Sequence, residues 1–251
     1  MTDENVKNFT VVGAGTMGHG IAQLALMAGF EQVVLNDIKM EFIEKGAAEI
    51  EKGLKKRESK DKLEDSADEI MGRLVKEVDL AKAASDADYV VEAVPEKMEI
   101  KQDVFDTLGS NAPEHAILAT NTSYMSITDI GEASGRPENV IGMHFFNPPV
   151  LMRLIEIIKG EKTSDEAMEM GVSVGNKLPC LKGGRFIARV LKDSPGFIVN
   201  RVTGAGNIYL NWVFDTAKEK GIPWEQVDAD GGNAMPMGPC ELMDYVGIDV
   251  V

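Results

Sequence analysis

The chain has 251 residues, 44% of them hydrophobic, which is enough for one large domain or for one large and one small domain. The formal net charge of −15 argues against general nucleic-acid binding. No apolar run approaches the roughly 20 residues of a membrane span, so no membrane partner is expected. The two cysteines and an acidic N-terminus without a secretory signal favour a cytoplasmic protein.

Strand-like and helix-like runs alternate along most of the chain. Strands are predicted at 9–12, 32–35, 88–94, 116–120 and in two runs around 141–158; helices are predicted at 21–28, 97–110, 127–133 and 165–178. This alternation predicts a doubly wound α/β fold with a mainly parallel sheet and helices on both faces. The amphipathic segment 40–76 predicts an inserted hairpin of two antiparallel helices with a break near 58–65.

The character of the sequence changes after Asp193. Residues 181–191 predict a hairpin that turns at Gly183-Gly184. Helical runs follow from Ile198 to Lys220, and glycine and proline residues interrupt the helical pattern at 235–239. We therefore expect a first domain at 1–193 and the beginning of an all-α domain at 194–251.

A glycine motif follows the first predicted strand. Gly13, Gly15 and Gly18 stand in the G-x-G-x-x-G pattern, and Asp37 lies 22 residues after Gly15, near the roughly 20 expected for a residue that binds ribose hydroxyls. The strand before the motif and the helix after it predict a Rossmann-type site for a dinucleotide, formed by Gly13, Ala14, Gly15, Thr16, Met17 and Gly18. The Asp37 carboxylate favours NAD over NADP, although Lys39 is close. The alternative is a glycine-rich turn that binds no ligand.

His144 and Glu156 flank the turn Asn147-Pro148-Pro149 between two apolar runs. Two antiparallel strands joined there would bring the imidazole and the carboxylate together. A histidine held by a carboxylate is a usual proton-transfer group near neutral pH, and the chain has only three histidines. The alternative is that His144 is a buried core residue and Glu156 a solvated charge on a strand.

Several segments, in this order along the chain, resemble the L-3-hydroxyacyl-CoA dehydrogenase family, including 3-hydroxybutyryl-CoA dehydrogenases. The segments are VVGAGTMGHGIAQ (11–23), VVEAVPEKMEIK (90–101), ATNTSYMSIT (119–128), GMHFFNPPVLMRLIEII (142–158), KDSPGFIVNR (192–201) and MPMGPCELMDYVGID (235–249). The resemblance implies oxidation of the 3-hydroxyl of a short-chain acyl-CoA with transfer of hydride to NAD, as in fatty-acid β-oxidation. It implies His144 as the general base and Glu156 as the group that orients it.

The resemblance also implies roles for residues outside this pair. Ser123 and Asn200 would position the substrate, and Lys60 would contact CoA. Further cofactor contacts are implied at Glu96, Lys101, Asn121 and Asn147. Considered without the resemblance, Asn200 is a polar residue near a helix cap and Ser123 is the N-cap of the next short helix. Glu96 and Lys101 are then an exposed helical pair. Glu92 is a structural acid rather than a residue on the cofactor side.

Lys60 belongs to a basic cluster at 52–62 on a predicted helical segment. This cluster is either a solvated helix face or an electropositive spot for an anionic substrate on an otherwise acidic surface. Gly53 stands where some members of the family carry a serine that contacts CoA.

Two features depart from the family pattern. Residues 180–187 look like an insertion without a functional interpretation, and family members normally continue with further helices beyond the DYVGID segment. We therefore expect an incomplete all-α domain, and a homodimer if that domain is complete. Two other hypotheses remain open: an NAD-dependent dehydrogenase of a non-CoA hydroxy acid, of the gulonate type, and a catalytically silent NAD-binding protein.

Overall fold

The computed structural model describes residues 6–232 and 238–241. The strands are β1 (Asn8–Val12), β2 (Gln32–Asn36), β3 (Leu74–Glu77), β4 (Tyr89–Glu92), β5 (Ile117–Thr120), β6 (Val140–Phe145), β7 (Leu154–Lys159) and β8 (Phe186–Val190). The helices are α1 (Thr16–Met27), α2 (Met40–Glu58), α3 (Ala67–Met71), α4 (Leu80–Ala84), α5 (Met98–Asn111), α6 (Ile127–Ala133), α7 (Asp165–Lys177), α8 (Val199–Lys220) and α9 (Trp224–Gly232), with a 3-10 turn at Pro137–Asn139.

One sheet contains all eight of these strands in the spatial order β3-β2-β1-β4-β5-β6-β7-β8. Neighbouring strands are parallel except at β6 and β7, which are antiparallel. The strand order changes direction between β1 and β4, and ligands of such sheets bind outside the carboxyl ends of the strands at that point. The predicted mainly parallel α/β fold is confirmed.

Alternate residues of the central strands face opposite sides of the sheet and enter two separate cores. Val11 and Val91 pack in the core beneath α1, α2 and α7, whereas Val12 and Val90 pack in the core beneath α5 and α6. Because both faces are covered, these strands are mostly apolar rather than alternating between apolar and polar residues.

The predicted helical hairpin at 40–76 is partly wrong. The first helix and the break are present, since α2 ends at Glu58 and α3 begins at Ala67 with Ser66 in a capping box. The second helix has only five residues, however, and Leu74–Glu77 form strand β3, which pairs in parallel with β2. Because β3 lies at the edge of the sheet, Val75 and Lys76 are exposed, and four residues with this pattern also fit a polar helix.

The predicted hairpin at 181–191 is also wrong. Residues 186–190 form a single strand, β8, which pairs in parallel with β7 as the last strand of the sheet. The residues before it form a connection from α7.

The contact pattern divides the chain into two compact units, Met1–Phe197 and Ile198–Val251. In the second unit, α8 is one continuous helix that ends at Gly221 in the left-handed conformation (φ 65°), and α9 follows. Residues 235–237 and most of the 235–249 segment lie outside the described residues. Within 6–232 and 238–241, no helix combines the length and the apolar composition needed to cross a bilayer.

Candidate active site

The turn from β1 into α1 has a geometry that only glycine tolerates at two positions. Gly13 has φ +98°, and a Cβ built on it would lie 2.6 Å from the Ala93 carbonyl oxygen on the neighbouring β4–α5 loop. A Cβ on Gly18 would collide with the carbonyl of Gly13. The predicted cofactor residues from Gly13 to Gly18 therefore form a tight turn in which strand, loop and helix approach closely.

The N-terminus of α1 is available to an anion. Gly15 is its N-cap, no side chain caps the helix, and its first turn carries no acidic residue. A Cβ on Gly15 would meet nothing within 4 Å, so the backbone is open to close approach at this position. Free amide donors and the positive end of the helix dipole fit the pyrophosphate of a dinucleotide.

Asp37 follows β2 and is anchored by two backbone amides. Its Oδ2 accepts a hydrogen bond from the Ala14 amide at 2.8 Å, and its Oδ1 accepts one from the Ile38 amide at 2.7 Å. The carboxylate is half-buried next to the glycine turn. This position fits a group that accepts hydrogen bonds from ribose hydroxyls.

A buried ionic network lies at the carboxyl ends of β4 and β5. Lys101 on α5 is 1% exposed, and its Nζ lies 2.8 Å from Glu92 Oε1 and 3.2 Å from Glu96 Oε2. Glu92, fully buried, also accepts hydrogen bonds from the Thr120 hydroxyl (2.7 Å) and the Val94 amide (2.7 Å). The alternative of an exposed Glu96–Lys101 pair is therefore wrong for Lys101, and Glu92 has the buried structural position expected of it.

Glu96 connects this network to the predicted substrate residue. Its Oε1 accepts hydrogen bonds from the Thr122 hydroxyl and from the Ser123 amide, the latter at 2.8 Å. Burial opposes ionisation of Glu96, but the Lys101 charge and these hydrogen bonds outweigh it and hold the pKa of Glu96 below its usual value. The carboxylate thus fixes the backbone of the loop that carries Ser123.

Ser123 is not the N-cap of the following helix, which corrects one of the alternatives. The cap of α6 is Ser126, whose hydroxyl accepts a hydrogen bond from the Asp129 amide. Two residues before Ser123, the Asn121 side-chain oxygen accepts a hydrogen bond from the Phe145 amide at 2.9 Å. Asn121 therefore joins the end of β5 to the end of β6, next to His144.

His144 and Glu156 are direct neighbours across the antiparallel strands β6 and β7. The His144 Nδ1 lies 2.8 Å from Glu156 Oε2, and the two side chains are 4% and 0% exposed. The rings of Phe146 and Phe197 lie against the imidazole, with centroids 4.5 and 5.6 Å away. The alternative of a solvated strand charge at Glu156 is therefore wrong.

The remaining predicted residues lie at the periphery or in the second unit. Asn147 is exposed and precedes Pro148 through a cis peptide bond. Lys60 is exposed in the turn after α2 rather than on the helix itself. Asn200 is the second residue of α8 in the second unit, where it is half-buried.

Some cations of the basic cluster at 52–62 form ion pairs with neighbouring carboxylates. Lys52 and Lys55 pair with Glu49 and Glu51 on the same helix. Beside the cluster, a Cβ on Gly53 would lie 2.7 Å from the Gln23 side-chain oxygen, so a serine there would require Gln23 to move. Among the described residues no group of three or more His, Cys, Asp or Glu is placed to hold a metal ion.

Sequence reasoning missed two threonines of the ionic network. Thr120 binds Glu92 and Thr122 binds Glu96, and both are fully buried. The available signal was the run of hydroxyl and amide side chains, Thr120-Asn-Thr-Ser123, directly after a buried strand.

Comparison with known proteins agrees with this geometry. Residues 8–179 match the NAD-binding domain of 3-hydroxyacyl-CoA dehydrogenase, and residues 196–251 match its C-terminal domain. A probable 3-hydroxybutyryl-CoA dehydrogenase of Deinococcus radiodurans is 42% identical, over 96% of this chain and 84% of the relative. The mitochondrial hydroxyacyl-coenzyme A dehydrogenase of Rattus norvegicus is 37% identical, over 97% of this chain and 77% of the relative.

A solved structure shows the same fold. The crystal structure of (S)-3-hydroxybutyryl-CoA dehydrogenase from Ralstonia eutropha superposes with a TM-score of 0.86 at 32% identity, covering 98% of this chain and 84% of that one. Together with the domain matches, which cover most of the chain, these likenesses establish the family. The chain belongs to the 3-hydroxyacyl-CoA dehydrogenases, a family of NAD-dependent oxidoreductases.

Proposed function

We propose that the protein interconverts short-chain 3-hydroxyacyl-CoA and 3-ketoacyl-CoA thioesters with NAD, using His144 as the acid–base group. The observation that carries this proposal is the buried 2.8 Å contact between His144 Nδ1 and Glu156 Oε2. A carboxylate held this close to an imidazole in a buried site orients the ring and selects the tautomer protonated on Nδ1. Nε2 is then the ring nitrogen that exchanges a proton with the substrate.

The reaction needs a base because C3 releases a hydride more readily as its hydroxyl loses a proton. His144 Nε2 accepts that proton during oxidation and returns it during reduction, while Glu156 stabilises the imidazolium formed in between. The Ser123 hydroxyl donates a hydrogen bond to the same substrate oxygen. NAD supplies the nicotinamide ring that accepts the hydride. The Phe146 and Phe197 rings pack against the imidazole and shield it from water.

Cofactor binding is assigned to the glycine turn, Asp37 and the adjoining loops. The unblocked N-terminus of α1 would bind the pyrophosphate. The Asp37 carboxylate would accept hydrogen bonds from ribose hydroxyls and repel a 2′-phosphate. Glu96 and Lys101 shape the neighbouring loop, and Asn121 and Asn147 lie on the loops that follow β5 and β6. NAD is therefore the preferred cofactor.

Substrate binding outside the reacting carbon is assigned to Lys60 and Asn200. Lys60 is an exposed cation on a chain of net charge −15, which suits the phosphates of CoA. Asn200 would position the acyl portion from the C-terminal domain. Similarity to 3-hydroxybutyryl-CoA dehydrogenases favours short acyl chains and a role in fatty-acid β-oxidation.

Assembly and location belong to the same proposal. We infer a cytoplasmic homodimer formed through the all-α domain. In support, α8 carries large apolar side chains that are mostly exposed in a single chain, Ile208 and Trp212 among them.

The test is a rate profile over 3-ketoacyl-CoA chain lengths with NADH and with NADPH. We expect acetoacetyl-CoA to be reduced with NADH far better than with NADPH, and rates to fall as the chain lengthens. Gulonate oxidation without activity on any CoA thioester would replace the proposal with the sugar-acid hypothesis. NADH binding, measured by fluorescence, without turnover of any of these substrates would identify a silent NAD-binding protein.

A further inference from the structure

Most of the connection between α7 and β8 lies outside both family-domain matches, of which the first ends at residue 179 and the second begins at 196. We call residues 178–185 the crossing segment. It contacts the β6–β7 loop, residues 146–153, and this loop joins the strands that carry His144 and Glu156. The Leu181 amide of this segment donates a hydrogen bond to the Val150 carbonyl of the loop at 3.1 Å. Directly after the segment, the amide of Phe186, the first residue of β8, donates one to the Arg153 carbonyl at 3.0 Å.

Arg185 makes the principal side-chain link between the crossing segment and the β6–β7 loop. Its guanidinium donates to the carbonyls of Pro149 (3.0 Å) and Met152 on the loop. It also donates to the carbonyls of Leu178 (3.2 Å) and Pro179 (2.7 Å) at the end of α7. A planar group with five donors is the side chain best suited to join four carbonyls from two segments.

A second contact fixes the same loop from the cofactor side. Pro149 is buried, and a Cβ built on Gly20 of α1 would lie 2.6 Å from the Pro149 ring. The loop is thus held between α1, whose N-terminus is the proposed site of the pyrophosphate, and the Arg185 guanidinium. Asn147, assigned above to the cofactor, stands two residues before Pro149.

We propose that Arg185 is a positioning residue for cofactor binding, which acts by locking the β6–β7 loop against α1. Its target is the loop backbone at Pro149 and Met152, and through it Asn147. His144 and Glu156 belong to the paired strands rather than to the loop, so we expect their contact to persist in Arg185 variants. The proposal rests on the proposed function only in placing the cofactor beside Asn147.

The experiment compares Arg185→Ala, Arg185→Gln and Arg185→Lys with Lys182→Ala, an exposed change in the same segment. We expect Arg185→Ala and Arg185→Gln to raise the NADH dissociation constant about tenfold, because the loop must be ordered on binding. Arg185→Lys retains a charged donor and should lie between these variants and the wild type. Lys182→Ala should match the wild type.

A purely structural role would lower the melting temperature and leave the NADH dissociation constant of the folded variants unchanged, and that result would overturn the proposal. The pH dependence of turnover should be the same in wild type and Arg185 variants, and a shifted profile would contradict action on the loop alone. Because NADH binding is measured without substrate, a wild type that fails to reduce acetoacetyl-CoA refutes the proposed function and leaves this test intact.

Discussion

His144 and Glu156 occupy directly opposed positions on β6 and β7, the one antiparallel pair in the sheet of the described chain. Because β7 runs antiparallel to β6, the first half of β7 lies beside the last residues of β6. In a parallel arrangement, the carboxyl end of β7 would lie there instead, and Glu156 would not face His144 at this position.

Replacement of His144 by Gln should remove catalysis and keep cofactor binding. Gln has a similar size but cannot accept and return a proton, so we expect turnover of acetoacetyl-CoA to fall about 10²–10⁴-fold. Stopped-flow or steady-state rates with NADH measure the loss, and NADH fluorescence titration gives the affinity. His115→Gln is the matched control, because His115 is an exposed histidine that pairs with Asp88. Loss of NADH affinity in His144→Gln would show that His144 is structural.

Replacement of Asp37 by Ser should weaken the preference for NADH over NADPH. The change removes the negative charge that repels a 2′-phosphate and keeps a small acceptor for the Ala14 amide. We expect the ratio of kcat/KM for NADH to that for NADPH to fall about tenfold or more. Glu31→Gln, on the exposed loop before β2, is the control. An unchanged ratio would exclude Asp37 as the residue that discriminates between the cofactors.

Removal of one member of the buried Glu92–Lys101 pair should cost more stability than removal of both. Glu92→Gln leaves the Lys101 ammonium buried with only Glu96 as partner, and Lys101→Met leaves Glu92 buried without a counter-charge. Breaking a buried pair from one side costs about 3–5 kcal/mol of unfolding free energy. Urea denaturation of both single variants and of the double variant measures the coupling. Additive losses would mean that the two charges do not depend on each other.

Stability should depend on Glu96 in the acid range. Because the folded-state pKa of Glu96 is lowered from its usual value of 4.5, the ionised carboxylate favours the folded state. This contribution is fully present above pH 4.5 and is lost as the pH falls through the lower folded-state pKa. The difference in unfolding free energy between wild type and Glu96→Gln should therefore be constant from about pH 6 to 8 and shrink below the usual pKa. Urea titrations across this range test it, and a difference that grows on acidification would contradict the assigned direction.

Local sequence was sufficient to predict the glycine turn and the contact between His144 and Glu156. Gly13 is required by its φ of +98° and Gly18 by its close approach to the Gly13 carbonyl, five residues earlier, so the motif itself indicates both requirements. The register of His144 and Glu156 follows from two apolar runs joined by a short loop. These features depend on residues close together in the chain.

Only the tertiary structure decided the identity of β3, the path of residues 178–185 and the burial of Lys101. Strand β3 exists because β2, some forty residues earlier, offers it an open edge. Lys101 is buried because Glu92 and Glu96 converge on it from another strand and loop. Arg185 finds its partners on a loop more than thirty residues away. Each outcome depends on contacts between residues that are distant in the chain. The free energy of such tertiary contacts cannot be read from a short segment of sequence.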